Sequence, residues 1–333
     1  MGVPVRQTAR IATYLMKQRL ARREKFPLLV ELEPLFQCNL ACAGCGKIQH
    51  PEETLRRRMP VEQAVAAIEE SGAPMVSIAG GEPLIHPEIH VIASELMKRK
   101  KFVILCTNAI LMKKKLDDFK PSPYFSWAVH MDGLRERHDE SVCREGVFDK
   151  AVEAIKEAKA RGFRVTTNTT VFTHDSPDDV RKVLDFLNDE LKVDQMMIAP
   201  AYAYEKAPDQ EHFLGVKQTR ELFINAFADG RRKKWRLNHS PLYLDFLEGK
   251  VDYQCTPWGI PSYSLFGWQR PCYLMADGYA KTYKELLETT DWSKYGRGRD
   301  PRCENCMAHC GYEPTAVLET TRSLKQSLRA IAG

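Results

Sequence analysis

Cys38, Cys42 and Cys45 stand at C-x3-C-x2-C spacing within Phe36-Gln-Cys-Asn-Leu-Ala-Cys-Ala-Gly-Cys-Gly46, directly after an apolar run. Three thiolates on one short loop can hold three irons of a [4Fe–4S] cluster and leave the fourth iron open for chemistry. The competing reading is a structural zinc site, which needs a fourth ligand; His50, on a Pro-flanked loop, is the nearest in sequence. A second group comprises Cys272, Cys303, Cys306 and Cys310, with Cys255 as an alternative to Cys272. It suits a second Fe–S cluster or a zinc ion equally. Cys106 lies outside both groups. It is either an inert buried thiol or, because an S–H bond is weak, a hydrogen-atom donor to a carbon-centred radical. Cys143 reads as structural.

Elements of two kinds must position these side chains. Residues 28–200 alternate short β-rich runs with helical patterns, which is the signature of βα units around parallel strands. Strands are expected at Leu28–Pro34, Met75–Ala79, Phe102–Thr107, Trp127–Met131, Phe163–Val171 and Asp194–Ala199. Helices are expected at 60–70, 87–100, 148–161 and 176–190. Six such units predict an α/β fold, a partial (β/α)6 barrel whose chemistry sits at the C-terminal ends of the strands. Residues 1–27 read as a basic amphipathic N-terminal helix, and 201–333 as a Cys- and aromatic-rich extension covering the barrel mouth.

Polar residues collect at those strand ends. Gly80-Gly81-Glu82-Pro83-Leu84 follows the second strand, and paired glycines let a backbone come close to a ligand or form a plain turn. Thr107 and Asn108 end the third strand, with Cys106 on the face of Asn108 by alternation. His130 and Asp132 end the fourth, where an imidazole either faces substrate or packs. Thr167, Asn168 and Thr170 lie on the fifth, and Asn168 and Thr170 at period 2 suit a polar site facing the interior. Ile198-Ala199-Pro200 closes the sixth. The segment from Trp258 to Trp268 is dense in aromatics, Gly and Pro. It reads as neither helix nor strand, and as either the lining of a large apolar pocket or the core of an irregular domain.

Hydrophobic content of 44% and charged content of 28% over 333 residues are those of a globular protein with a sizeable core. A net charge of +5 does not argue for nucleic acid. Ten cysteines in clustered spacing, without a secretion signal, point to metal rather than disulfides and to a cytoplasmic setting. No apolar run is long enough to span a membrane. The first 25 residues carry seven basic side chains against the single acid Glu24, interleaved with Val5, Ile11, Tyr14, Leu15 and Leu20. That pattern fits a helix lying on anionic lipid at the inner face of the membrane, or one packed on the barrel.

At the cysteine triplet followed by Gly80-Gly81-Glu82-Pro83, the chain resembles the radical S-adenosylmethionine (SAM) enzymes. The resemblance implies a [4Fe–4S] cluster on Cys38, Cys42 and Cys45, with SAM chelating the open iron as cosubstrate. It implies SAM contacts from Gly80, Gly81, Glu82, Pro83, Thr107, Asn108, Asp132, Asn168 and Thr170. His130, which stands where relatives usually carry Ser, belongs to the same set. Four stretches extend the likeness to the hopanoid-biosynthesis branch of that family. They are Val30 to Ile48, Ser77 to Leu84, His130-Met-Asp-Gly133 and Trp258-Gly-Ile-Pro261. That branch implies addition of a 5′-deoxyadenosyl radical to the terminal alkene of hopene (diploptene), quenching through Cys106, and a flavodoxin- or ferredoxin-type electron donor. A peptide-modifying radical SAM enzyme and a zinc-stabilised binding module are the alternative readings.

Overall fold

The computed structural model describes residues 4–203 and 205–320; the expected extension runs past the described residues. Six strands follow one another between helices: β1 (Leu29–Leu32), β2 (Met75–Ile78), β3 (Phe102–Thr107), β4 (Phe125–His130), β5 (Val165–Val171) and β6 (Gln195–Pro200). Each pairs with the next in parallel. Residues from β1 and from β6 line one common cavity, so the sheet curls into a partial barrel.

Alternation explains what each strand does. On β3, Val103 and Leu105 point outward into the core, while Ile104 and Cys106 face the interior and stay partly exposed. Helices pack on the outer face. Val147–Ala160 turns Ala151, Ala154, Ile155 and Ala158 inward, each fully buried, and burial of the Ile155 side chain alone stabilises by about 1.5–3 kcal/mol. Helix Val61–Ser71 stops at Gly72, which adopts φ 70°. Helix Pro177–Asp185 starts at a Ser176/Asp179 capping box.

The extension does more than cover the barrel. β7 (Ser262–Ser264) adds in parallel to the free edge of β1, and the hairpin of β8 (Gly267–Gln269) and β9 (Tyr279–Ala280) follows. The sheet order is β6-β5-β4-β3-β2-β1-β7-β8-β9. This corrects the expectation that residues 258–268 form neither helix nor strand: strands of three residues are too short to show a period. Their aromatics are core. Trp268 is fully buried against Tyr263 and Tyr283, at centroid distances of 4.9 and 5.0 Å.

The N-terminal helix spans Val5–Leu20. Leu15 packs with Phe26, Leu28, Val317 and Leu318. Gln7 donates to Met75 Sδ at the start of β2, so the helix crosses the barrel at the end opposite the predicted site. Met16 and Leu20 remain exposed. No helix among the described residues is long and apolar enough to cross a membrane.

Candidate active site

A cavity of about 270 Å³ opens at the C-terminal ends of the strands. Its wall includes Cys38, Cys42, Cys45, Gly80, Gly81, Glu82, Cys106, Thr107, Asn108, His130, Asp132, Asn168, Thr170 and Cys310. Fold geometry thus brings together almost all the residues singled out in the sequence. Pro83 is not on this wall; it is buried at the first position of a short 3-10 turn. Thr167 faces the other side of β5, fully buried, because alternation that turns Asn168 and Thr170 inward turns Thr167 away. Ala199 and Pro200 reach the wall, whereas Ile198 is in the core.

The cysteine loop is held by backbone contacts. Gly81 N–H donates to Leu35 O (3.0 Å) and Glu82 N–H to Gln37 O (2.9 Å). A Cβ on Gly80 would sit 2.3 Å from Leu35 O, and one on Gly81 would sit 2.1 Å from Gln37 O. Gly80 also adopts φ 108°. The glycine pair therefore serves the approach of this loop to the cysteine loop, a reason the sequence alone did not supply. Glu82 bolts the same loop to β3. Its carboxylate accepts from Leu84 N–H (3.0 Å), Thr107 Oγ1 (2.9 Å) and Asn108 N–H (2.8 Å). Burial pushes it up to about 7, against the pull of those three bonds.

The triplet fits three corners of an Fe–S cluster. Cys38, Cys42 and Cys45 are free, partly buried and on one wall. Burial raises all three thiols, Cys38 to about 11, so a metal must displace their protons on loading. Leu40 N–H (3.4 Å) and Asn108 Nδ2 (3.8 Å) point at Cys38 Sγ and would steady a thiolate there. A cluster spreads its thiolates over separate irons, and Cys42 lies near enough to Cys38 and Cys45 for both to raise its thiol. His50 is no fourth ligand. It stacks on Phe36 with centroids 4.5 Å apart, and is absent from the cavity wall.

His130 and Asp132 form a pair, Nε2 to Oδ2 at 2.7 Å. Asp132 also accepts from Ser141 Oγ (2.9 Å) and from Thr170 N–H (2.8 Å). Burial alone would lower His130, but the charge and hydrogen bond of Asp132 raise it above the ordinary histidine value. Imidazole packing inside an apolar strand is thus not what is found: the ring is on the wall.

The second cysteine group gathers five thiols. Burial is the main reason the Cys255 thiol lies well above its ordinary value, and Cys306, Cys272, Cys310 and Cys303 all add to it. Cys272 is pushed up to about 12 and Cys306 to about 11, again by burial first. A Cβ on Gly311 would lie 2.4 Å from Cys255 Sγ, which fixes Cys255 against the helix His309–Thr320. Cys143, read as structural, is exposed and sits at φ 54°.

Sequence reasoning passed over Glu31 and Ser77. Both are on the interior face, on β1 and β2, as direct register partners. The available signal was Glu31 and Glu33 at period 2 in an otherwise apolar strand.

Residues 32–187 match the radical SAM superfamily, and residues 196–330 match a domain of unknown function (DUF3463). The chain is 26% identical over 194 residues to GTP 3′,8-cyclase 1 of Mycobacterium tuberculosis, covering 53% of this chain and 54% of that protein. It is 23% identical over 158 residues to Fe-coproporphyrin III synthase of Methanosarcina barkeri, covering 46% and 39%. The chain thus spans about half the length, or less, of these relatives. Among solved structures, Streptococcus suis SuiB bound to S-adenosylmethionine superposes with a TM-score of 0.62 at 18% identity, covering 76% of this chain and 61% of SuiB. Native anSMEcpe with bound AdoMet gives 0.56 at 21% identity, covering 79% and 81%. These two likenesses are likenesses of fold. With the triplet, the glycine loop and the curled parallel sheet in place, residues 32–187 carry the match to the radical SAM superfamily, whose enzymes use a [4Fe–4S] cluster and S-adenosylmethionine.

Proposed function

We propose that this protein is an adenosylhopane synthase, a radical SAM enzyme joining the 5′-deoxyadenosyl group of SAM to the terminal alkene of hopene. The observation that carries the reading is that Cys106 and the triplet Cys38, Cys42 and Cys45 wall the same cavity. A hydrogen-atom donor beside the place where SAM is bound suits a reaction that ends by saturating a carbon.

Cys38, Cys42 and Cys45 would hold the cluster. When bound, cluster and SAM supply a one-electron cleavage whose adenosyl fragment can add to an alkene. Gly80, Gly81, Glu82, Thr107, Asn108, His130, Asp132, Asn168 and Thr170 would bind and orient SAM, Pro83 supporting their loop from behind. Burial pushes the Cys106 thiol up to about 12, so its sulfur keeps the S–H bond at neutral pH. Only that form can give a hydrogen atom. The wall would hold the reacting carbon in position against the adenosyl group.

Residues 28–200 are assigned as the catalytic barrel and 201–333 as a cover whose gathered cysteines hold a second Fe–S cluster or a zinc ion. The helix from residue 5 to 20 is assigned as a peripheral contact with the inner membrane face, where an apolar triterpene is met. A ferredoxin- or flavodoxin-type protein supplies electrons. A peptide is the competing substrate class, since SuiB, of like fold, was crystallised with its precursor peptide SuiA.

The deciding assay offers anaerobically reconstituted protein, dithionite and SAM to diploptene and, separately, to peptides. Expected are methionine and a lipid heavier by one 5′-deoxyadenosine, both lost in Cys42→Ala. Cys106→Ala should still cleave SAM while accumulating little reduced adduct. Modified peptide without modified lipid overturns the hopene reading. A protein that loads zinc alone and cleaves nothing overturns the enzyme.

A further inference from the structure

Three adjacent strands place a chain of hydrogen-bonding groups behind Cys106. Glu31 on β1 and Ser77 on β2 are register partners, and Ser77 Oγ donates to Glu31 Oε1 at 3.3 Å. Ser77 Oγ is 3.4 Å from Cys106 Sγ on β3. Ser77 is buried, whereas Glu31 and Cys106 both reach the cavity wall. On the other side of Glu31, its partner on β7 is Ser262, fully buried with a hydroxyl that has no hydrogen-bond partner among the described residues. No catalytic or binding role assigned above uses these groups, and a carboxyl in a barrel interior is costly to keep.

We propose that Glu31, acting through Ser77, is the proton source that restores the Cys106 thiol after each hydrogen-atom transfer. The inference rests on Cys106 being the donor. In the first step Cys106 S–H gives its hydrogen atom to the substrate carbon, leaving a saturated carbon and a thiyl radical. One electron from a low-potential carrier of the ferredoxin or flavodoxin class reduces the thiyl to a thiolate. Ser77 passes its hydroxyl proton to that sulfur and takes one from the Glu31 carboxyl, leaving a carboxylate that solvent reprotonates between turnovers. A serine hydroxyl turns freely between accepting and donating, so it can serve both directions.

The surroundings keep a proton on Glu31. Burial pushes its carboxyl up to about 8, and the Glu33 carboxylate adds to this, while Lys47 and Ser77 pull it down. Glu31 in turn raises the Cys106 thiol, after the larger effect of burial. The pair is thus matched for transfer toward sulfur: an ionised sulfur beside Glu31 is a far stronger base than the carboxylate that would result.

Two measurements on the full chain test this. The first needs no substrate: iodoacetamide labelling at Cys106, read by peptide mass as pH rises. Glu31→Gln should label severalfold faster above pH 8, because the charge opposing the thiolate is gone, and Ser77→Ala more slowly. Identical profiles in all three proteins overturn the relay. The second follows adduct against time with diploptene. Ser77→Ala should give a burst of about one reduced adduct per chain and then a slow phase, and Ser77→Thr, which keeps the hydroxyl, should remove the burst. Cys106→Ala lacking even the first adduct separates the two ideas. If it does lack it while Ser77→Ala turns over steadily, the relay alone falls; if it forms wild-type product, the donor assignment falls and the relay with it.

Discussion

Gly81→Ala should loosen the cysteine loop as well as the protein. The added Cβ would lie 2.1 Å from Gln37 O and 2.5 Å from Phe36 O, both backbone atoms that no rotamer change can move. Relief needs the two loops to part by about 1 Å, an overpacking cost of roughly 1–3 kcal/mol. That parting stretches the bonds from Gly81 N–H to Leu35 O and from Glu82 N–H to Gln37 O beyond useful length. Losing both adds about 1–3 kcal/mol, for a sum of roughly 2–6 kcal/mol. A chain of this length unfolds with an entropy of about 0.7 kcal/mol per kelvin, so the melting midpoint should drop by roughly 3–9 °C. Cys38 directly follows Gln37, so iron taken up per chain on anaerobic reconstitution should fall too. Gly44→Ala is the control: its Cβ would press only on the Phe172 ring at 2.9 Å, which can turn aside. Wild-type midpoint and iron content in Gly81→Ala would refute the role given to the glycine pair.

Two further outcomes follow from the site. His130 is held above the ordinary value of 6.5, so its stabilising contribution is full below that pH and is lost as pH rises through the higher folded value. Asp132 is held below 3.8, so its contribution is present above that pH and is lost only as pH falls through the lower folded value. His130→Asn should therefore flatten the fall of the unfolding midpoint above about pH 6.5, and a wild-type slope would count against the pair. Cys255→Ala and Cys303→Ala should each lower iron per chain while Cys38, Cys42 and Cys45 keep theirs; unchanged iron in both variants would rule out a second cluster.

Much of the barrel was legible because its interior and exterior rows differ in kind. β3 has the expected bounds, since Phe102-Val-Ile-Leu-Cys-Thr is β-prone throughout and ends at a polar pair. The triplet and the strand-end polar residues were legible because parallel strands deliver their C-terminal ends to one place. Three things were hidden. Gly80 and Gly81 answer to a backbone far away in sequence, which spacing cannot reveal. β7 to β9 are too short for periodicity and are made by pairing with β1, a tertiary effect. Glu31 looked like a strand residue because its importance comes from Ser77 and Cys106 on other strands, not from its neighbours in the chain.

The parallel pairing of β1 with β7 joins segments far apart in the chain. β1 leaves the ribosome well before the strand that satisfies its outer edge, which follows some 230 residues later. Leu15, Phe26 and Leu28 likewise wait for Val317 and Leu318. A nascent or truncated barrel would therefore carry an open edge, ready to pair with another copy. Co-expressing the two halves as separate chains, rather than either alone, is the arrangement in which this sheet could still be completed.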